Sequence, residues 1–231
     1  MVSECIRTQS SSPPTSVRTL KPGKKRAILS KSKAPVFYVP GNHDDDANTV
    51  ERYRSVFGKD YFEFKVKNAT FIALDSQLLG NFDVFESHQI MPLSAMWQTE
   101  SRKMLDWLGK HADDSQQRSA RKHGGAALEA GFIFVVQHVP TSRNEGVPAD
   151  AKPHWTVQEP YRSRELELLR RLGVKHLFAG HWHAGMAYQA DGITYHLAPA
   201  TSWSSFNCPL RFAIHTISPN GDVKTEFVNL K

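Results

Sequence analysis

Four short apolar runs punctuate the chain: Val36–Val39, Thr70–Leu74, Phe132–Val136 and Val174–Phe178. Each is rich in β-branched or aromatic residues and bounded by turn residues, so each predicts a buried strand. Helical spacing fills the stretches between them. Val50, Tyr53, Val56 and Phe57 share one face of a helix that Asn48 would cap and Gly58 would stop. Trp97, Met104, Leu105 and Leu108 predict a second helix from about Ser94 to Leu108, with Gly109 as its stop. Leu166, Leu169 and Leu172 predict a third from about Pro160 to Leu172, ended by Gly173. Lys110–Gly131 is polar and Gly-punctuated, which predicts a surface insertion.

The last 45 residues change style. Met186–Gln189 and Ile193–Leu197 flank Asp191-Gly192, a strong hairpin signal. Arg211–Ile217 and Val223–Val228 flank Pro219-Asn220-Gly221-Asp222, a second hairpin. Strands and helices first, then a β-rich end, predict an α/β fold with two sheets.

Composition adds a boundary to this pattern. Residues 1–34 hold eight Lys/Arg and one acid, Glu4, against a net charge of +6 for all 231 residues. That leaves the remainder near neutral, so the basic character belongs to a Ser/Pro/Lys-rich lead segment expected to be disordered. The organisation predicted is this segment, 1–34, followed by one globular domain, 35–231. A charge confined to a tail gives little support to a nucleic-acid-binding domain, and a nucleic-acid partner is not expected. A role for residues 18–33 in such binding is the least favoured of three readings. No apolar run approaches the ~18 residues of a membrane span, and the N-terminus shows no secretory apolar stretch. Cys5 and Cys208 make no framework and no ligand pair, which favours a reducing, cytoplasmic setting.

The chemistry gathers after the strands. Val36–Val39 runs into Pro40-Gly41-Asn42-His43-Asp44, Phe132–Val136 into Gln137-His138, and Val174–Phe178 into Gly180-His181-Trp182-His183. In α/β sheets, ligands gather beyond the carboxyl ends of the strands. Neutral imidazoles and an amide oxygen suit divalent ions such as Mn, Fe or Zn. Gly41 and Gly180 permit sharp turns before the ligands. Asp75 also follows a strand, but reads better as a turn cap. His88, His111, His123, His154, His176, His196 and His215 read as surface or structural. His154-Trp155 and Trp203 are candidates to line a substrate cleft, with core or rim packing the better reading of each.

Gly-Asn-His-Asp, a His after a buried strand, and Gly-His-x-His, in that order, resemble the second half of the calcineurin-like metallophosphoesterase signature. Phe57-Gly-Lys-Asp-Tyr-Phe62, Leu74-Asp75-Ser76-Gln77 and Gln137-His138-Val139-Pro140 are similar to the calcineurin-like phosphoesterase-domain-containing serine/threonine phosphatases. Purple acid phosphatases share Val135-x-x-His138 and stand second. The resemblance spans roughly Pro35–Asn229 and implies a two-sheet αββα sandwich lacking its first strands. It implies that Asn42, His138 and His181 are ligands of one metal and His183 a ligand of another. His43 would contact the phosphate and assist the leaving group, with Asp44 orienting its ring. Two divalent ions in complete members would hold a hydroxide for in-line attack on a phosphorylated protein or small phosphoester.

The family also has Asp-x-His and Gly-Asp-x-x-Asp upstream. Neither occurs in residues 1–40, a stretch with no Asp at all. The leading expectation is a metal-dependent phosphoester hydrolase. The alternative is a truncated, catalytically impaired pseudo-phosphoesterase acting as a binding module.

Overall fold

A computed structural model describes residues 6–7, 31–42, 44, 50–82, 92–121, 131–143, 153–201 and 209–230, with backbone alone at 6–7 and 118–121. A six-stranded mixed sheet forms its centre. The strands are β3 (Phe62–Val66), β4 (Ala69–Ala73), β5 (Phe132–Val136), β6 (His176–Ala179), β7 (Met186–Ala190) and β8 (Ile193–Leu197), in spatial order β3-β4-β5-β6-β8-β7. β4, β5, β6 and β8 run parallel, while β3 and β7 are antiparallel edges. Two ladders of two strands stand apart from this sheet: β1 (Ile6–Arg7) with β2 (Val36–Phe37), and β9 (Arg211–Ile217) with β10 (Val223–Asn229).

Alternation along the central strands divides the core in two. Ile72, Leu74, Val135 and Leu177 face helices α2 (Ala95–Arg121) and α3 (Tyr161–Leu172). Phe71, Ala73, Phe134, Val136 and Phe178 face the other way, where Phe37, Ile217 and Val223 pack on them from β2, β9 and β10. The two-sheet α/β architecture is therefore borne out. On the far side of β9 and β10, Phe212, Ile214 and Val228 are exposed. No helix among the described residues is long and apolar enough to cross a membrane.

Most predicted elements form with small shifts of boundary. Gly173 ends α3 in the left-handed conformation, and its N–H bonds back to Arg170 and Leu169 carbonyls. Asp191 and Gly192, both at positive φ, close the β7–β8 hairpin. Helix α1 (Val50–Phe57) buries Val50 and Tyr53 and stops at Gly58, while Asn48 lies outside the described residues. Arg54 of α1 grips Asp60 with two 2.8 Å bonds and Glu100 of α2 with a third.

Three expectations need correction. Val36–Val39 is not a strand of the central sheet. Only Val36–Phe37 is extended, and it pairs with β1. Phe37 buries its ring by stacking on Phe64, 3.8 Å away, so this run covers a face of the sheet rather than joining its ladder. Gly109 does not stop α2, which continues through Lys110 to Arg121. Leu108 and Ala112 remain in the core stripe on either side of it, and a side chain at 109 would lie 3.8 Å from Leu168 of α3. Helix-to-helix packing thus outweighs the roughly 1 kcal/mol that glycine costs within a helix. The surface insertion is correspondingly shorter. Finally, β3 was not anticipated, although Phe62, Phe64 and Val66 alternate with polar residues as an edge strand should.

Candidate metal centre

The parallel strands end on one edge of the sheet, and backbone bonds carry the ladder slightly past them. Gln137 N–H donates to the Phe178 carbonyl (3.0 Å), and Gly180 N–H donates to the His138 carbonyl (2.9 Å). These bonds hold the segments after β5 and β6 side by side, so His138 and His181 are neighbours. Both His181 and His183 adopt the left-handed conformation, at φ 62° and 57°. Non-glycine residues rarely hold that backbone, and two so close together mark a tip shaped for its side chains.

Asn42 arrives from the turn after β2. Gly41 N–H donates to Asp44 Oδ2 (3.1 Å), and Asp44 N–H returns a bond to the Gly41 carbonyl (2.8 Å). A Cβ on Gly41 would lie 3.2 Å from His138 Cε1 and Nδ1. A side chain at 41 would press on the imidazole, so glycine here gives the His138 ring its room.

Three donor atoms meet. His138 Nε2 is 2.9 Å from Asn42 Oδ1 and 3.3 Å from His181 Nδ1. The opposite nitrogen of His181, Nε2, lies 2.7 Å from the His154 carbonyl. A carbonyl only accepts, so Nε2 carries the proton and Nδ1 presents its lone pair. Asn42 Oδ1 also accepts, so the single proton between the three atoms belongs to His138 Nε2. Burial, then the neighbouring His138 and His154, hold His181 well below the usual imidazole range. It is therefore neutral at pH 7, as a metal ligand must be.

Donor atoms sharing one divalent ion at about 2.1 Å lie roughly 3–3.4 Å apart, which matches the separations here. The set fits a divalent ion as a partial, neutral site. Among the described residues, no group of three or more His, Cys, Asp or Glu side chains is arranged to hold a metal ion. The convergent atoms come from two imidazoles and an amide, with no carboxylate to offset the ion's charge.

Asn42, His138 and His181 are thus brought together. His183 is near enough to His181 to depress its pKa. Asp44 sits at the edge of the site, its carboxylate closing its own turn. His43 lies outside the described residues. Asp75 is a buried turn cap, its Oδ1 accepting from Gln77 N–H at 3.0 Å, as its sequence context indicated.

Sequence reasoning favoured a packing role for His154 and Trp155, which form the wall of the site. His154 is buried; its ring Nδ1–H donates to the Phe82 carbonyl at 2.8 Å, and its own carbonyl sets the His181 tautomer. Trp155 meets His181 edge-on at 6.0 Å, and its carbonyl accepts from Trp182 Nε1. A backbone carbonyl carries no sequence signal, so His154 was legible only as a possible rim residue.

Comparison with known proteins follows this geometry. Residues 8–185 match the family model described as calcineurin-like phosphoesterase. The serine/threonine-protein phosphatase CPPED1 of Homo sapiens is 28% identical over 172 residues, covering 71% of this chain and 48% of that protein. Its Danio rerio counterpart is 25% identical over 167 residues, covering 69% and 45%. The chain thus spans about half the length of the curated relatives it matches. Among solved structures, the anchor protein GAP50 of the Plasmodium inner membrane complex aligns with a TM-score of 0.42 and 17% identity, over 90% of this chain and 58% of that one. The match across most of its length shows that this chain belongs to the calcineurin-like phosphoesterase family.

Proposed function

We propose that this chain is a phosphoester hydrolase domain working with divalent metal, on a phosphorylated protein or a small phosphoester. The observation that carries the reading is the meeting of Asn42 Oδ1, His138 Nε2 and His181 Nδ1 at the carboxyl edge of the sheet. These atoms would hold one ion once His138 takes the tautomer with its proton on Nδ1, with His183 contributing beside them. The ion, when bound, would supply Lewis acidity toward a phosphoryl oxygen and an activated water. The residues around it do the positioning. His154 fixes the His181 tautomer through its carbonyl, and Gly41 leaves room for the His138 ring. His43, beside Asn42 in the chain, is assigned to the leaving group, with Asp44 next to it. Mn, Fe or Zn suits this nitrogen-and-oxygen set. A reducing, cytoplasmic setting belongs to the same reading.

The test pairs metal content with turnover. The purified chain is loaded with Mn²⁺ or Zn²⁺, its bound metal measured, and hydrolysis of p-nitrophenyl phosphate followed alongside His181→Ala and His43→Ala. Retained metal and turnover that both collapse in His181→Ala support the hydrolase. No bound metal, with turnover equal in all three proteins, sinks it. A second reading, binding without turnover, is favoured by the absence of a carboxylate from the convergent atoms. Metal retained and lost in His181→Ala, with phosphate binding but no hydrolysis, would select it.

A further inference from the structure

Behind His138, away from the convergent atoms, lies a buried polar cluster that the metal centre does not use. Glu165 of α3, Gln137, Thr141 and Tyr195 are all 0% exposed. Gln137 Nε2 donates to the Val139 carbonyl (2.8 Å) and to Thr141 Oγ1 (3.2 Å). The Val139 carbonyl can only accept, so the amide nitrogen of Gln137 must lie on that side and its oxygen on the other. That oxygen, both carboxyl oxygens of Glu165 and the Tyr195 hydroxyl have no hydrogen-bond partner in this arrangement. Leaving buried polar atoms unpaired is costly, so a group this dense demands a donor.

The hydroxyls of Thr141 and Tyr195 supply two donors for three acceptors, Gln137 Oε1 and the two Glu165 oxygens, so the third must come from Glu165 itself. Gln137 Oε1 and an ionised Glu165 are both acceptors and cannot bond. A Glu165 carboxyl in its acid form can donate to Gln137 Oε1, and Tyr195 can donate to its remaining oxygen. Burial pushes Glu165 up to about 7, with Thr141 and Gln137 offsetting this only in part. Among the described residues, Glu165 forms no ion pair. The other titratable groups around the cluster are Tyr195 on β8, Tyr188 on β7, Arg143 near Tyr188, and Asp191 in the β7–β8 turn, where it accepts from the Ser142 hydroxyl at 2.6 Å. From α2, Asp113 pairs at the surface with Arg171 of α3.

We propose that Glu165 is a positioning residue for the candidate metal centre: its acid form donates to Gln137 and so fixes the 137–142 segment that presents His138. When Glu165 ionises, that donor is lost and two acceptors face each other. Gln137 must then turn, and the adjoining His138 shifts away from Asn42 and His181. The inference rests on the proposed role of His138 as a ligand, but its structural half stands without it.

The experiment compares the full chain with Glu165→Gln, which keeps a donor at every pH, and Glu165→Met, which keeps the volume and removes the donor. The Gln137 side-chain amide and the His138 ring are followed by NMR from pH 5.5 to 8.5, and Zn²⁺ affinity is measured at pH 6. In the wild-type chain the Gln137 amide should shift with a midpoint near the Glu165 value of about 7, and Glu165→Gln should abolish that shift. Glu165→Met should displace the His138 resonances and weaken Zn²⁺ about tenfold, the usual scale for an outer partner of a ligand. Glu165→Gln should bind as wild type does. A merely structural Glu165 would change unfolding stability in Glu165→Met and leave His138 and Zn²⁺ affinity alone; that result overturns the proposal, as does a Gln137 amide that ignores pH. His138→Ala separates the two readings. If it leaves Zn²⁺ affinity unchanged, the metal reading fails, and the NMR shifts alone decide whether Glu165 positions His138.

Discussion

Two histidine clusters share strand β6 and its extension, and they differ in what their nitrogens face. At the carboxyl edge, His181 and His138 sit on strained or tightly turned backbone, and their facing nitrogens converge with Asn42. At the other end of the strand, His176, His196 and His215 lie between the sheets. His176 Nδ1 is 3.0 Å from His196 Nε2, and Thr225 Oγ1 bridges His196 Nδ1 (3.1 Å) to His215 Nδ1 (2.9 Å). Phe178 stacks on His196, with ring centres 5.1 Å apart. Burial holds His196 down to about 3 and His215 down to about 4. His181, His196 and His215 are therefore neutral, but the second cluster forms a chain in which both nitrogens of His196 are bonded within the protein. It joins β9 and β10 to the central sheet as a structural network. Neutral imidazoles are thus placed to receive an ion, as proposed, or to act as struts, according to whether their nitrogens converge on a point or run in line.

The largest effect should come from removing the strut. His196→Ala would open a cavity under Phe178 and strip partners from His176 and Thr225, costing about 3 kcal/mol in urea unfolding. A cost under about 0.5 kcal/mol would remove the structural assignment. Next comes acid. His196 has a folded value below its unfolded one, so its contribution is intact above about pH 6.5 and is lost progressively as pH falls from there toward 3. Glu165 works in the opposite sense, because its raised value favours the protonated folded chain. The slope must therefore be taken as a difference. Between pH 6.5 and 4, wild type should lose about 2 kcal/mol relative to His196→Gln, and equal slopes would contradict the network.

The convergent cluster should respond in the reverse way. His181→Gly should cost under about 1 kcal/mol of stability, since glycine relieves the left-handed backbone strain and so offsets lost packing. Its Zn²⁺ affinity, read by calorimetry, should drop at least tenfold. Large destabilisation with unchanged affinity would make the two clusters alike. The smallest effect is expected from Gly41→Ala. A methyl 3.2 Å from the His138 ring should displace it by a few tenths of an ångström, weakening Zn²⁺ several-fold with little change in melting temperature.

Much of the fold was legible because period and punctuation coincide with local physics. Phe132–Val136 is a strand as read, and Asp191-Gly192 turns where their positive φ requires. Gly109 misled because a glycine inside a helix has the same letter as one that ends it, and only the approach of Leu168 distinguishes them. Val36–Phe37 misled because an apolar run records burial without recording whether the backbone or the side chain meets the sheet. Of the site, Asn42, His138 and His181 were readable as polar residues following apolar runs. His154 and Glu165 were not, since one acts through a carbonyl and the other through a buried partner far along the chain.

The order of motifs alone determined the family and the edge of the sheet where chemistry gathers, because strand ends are written locally in apolar runs and the turns that follow them. Which histidines share a point, which tautomer His181 holds, and that His176, His196 and His215 bind two sheets together were decided only by tertiary structure. Those facts depend on distances between residues tens of positions apart, which hydrogen-bond geometry and packing set after the strands have found their neighbours.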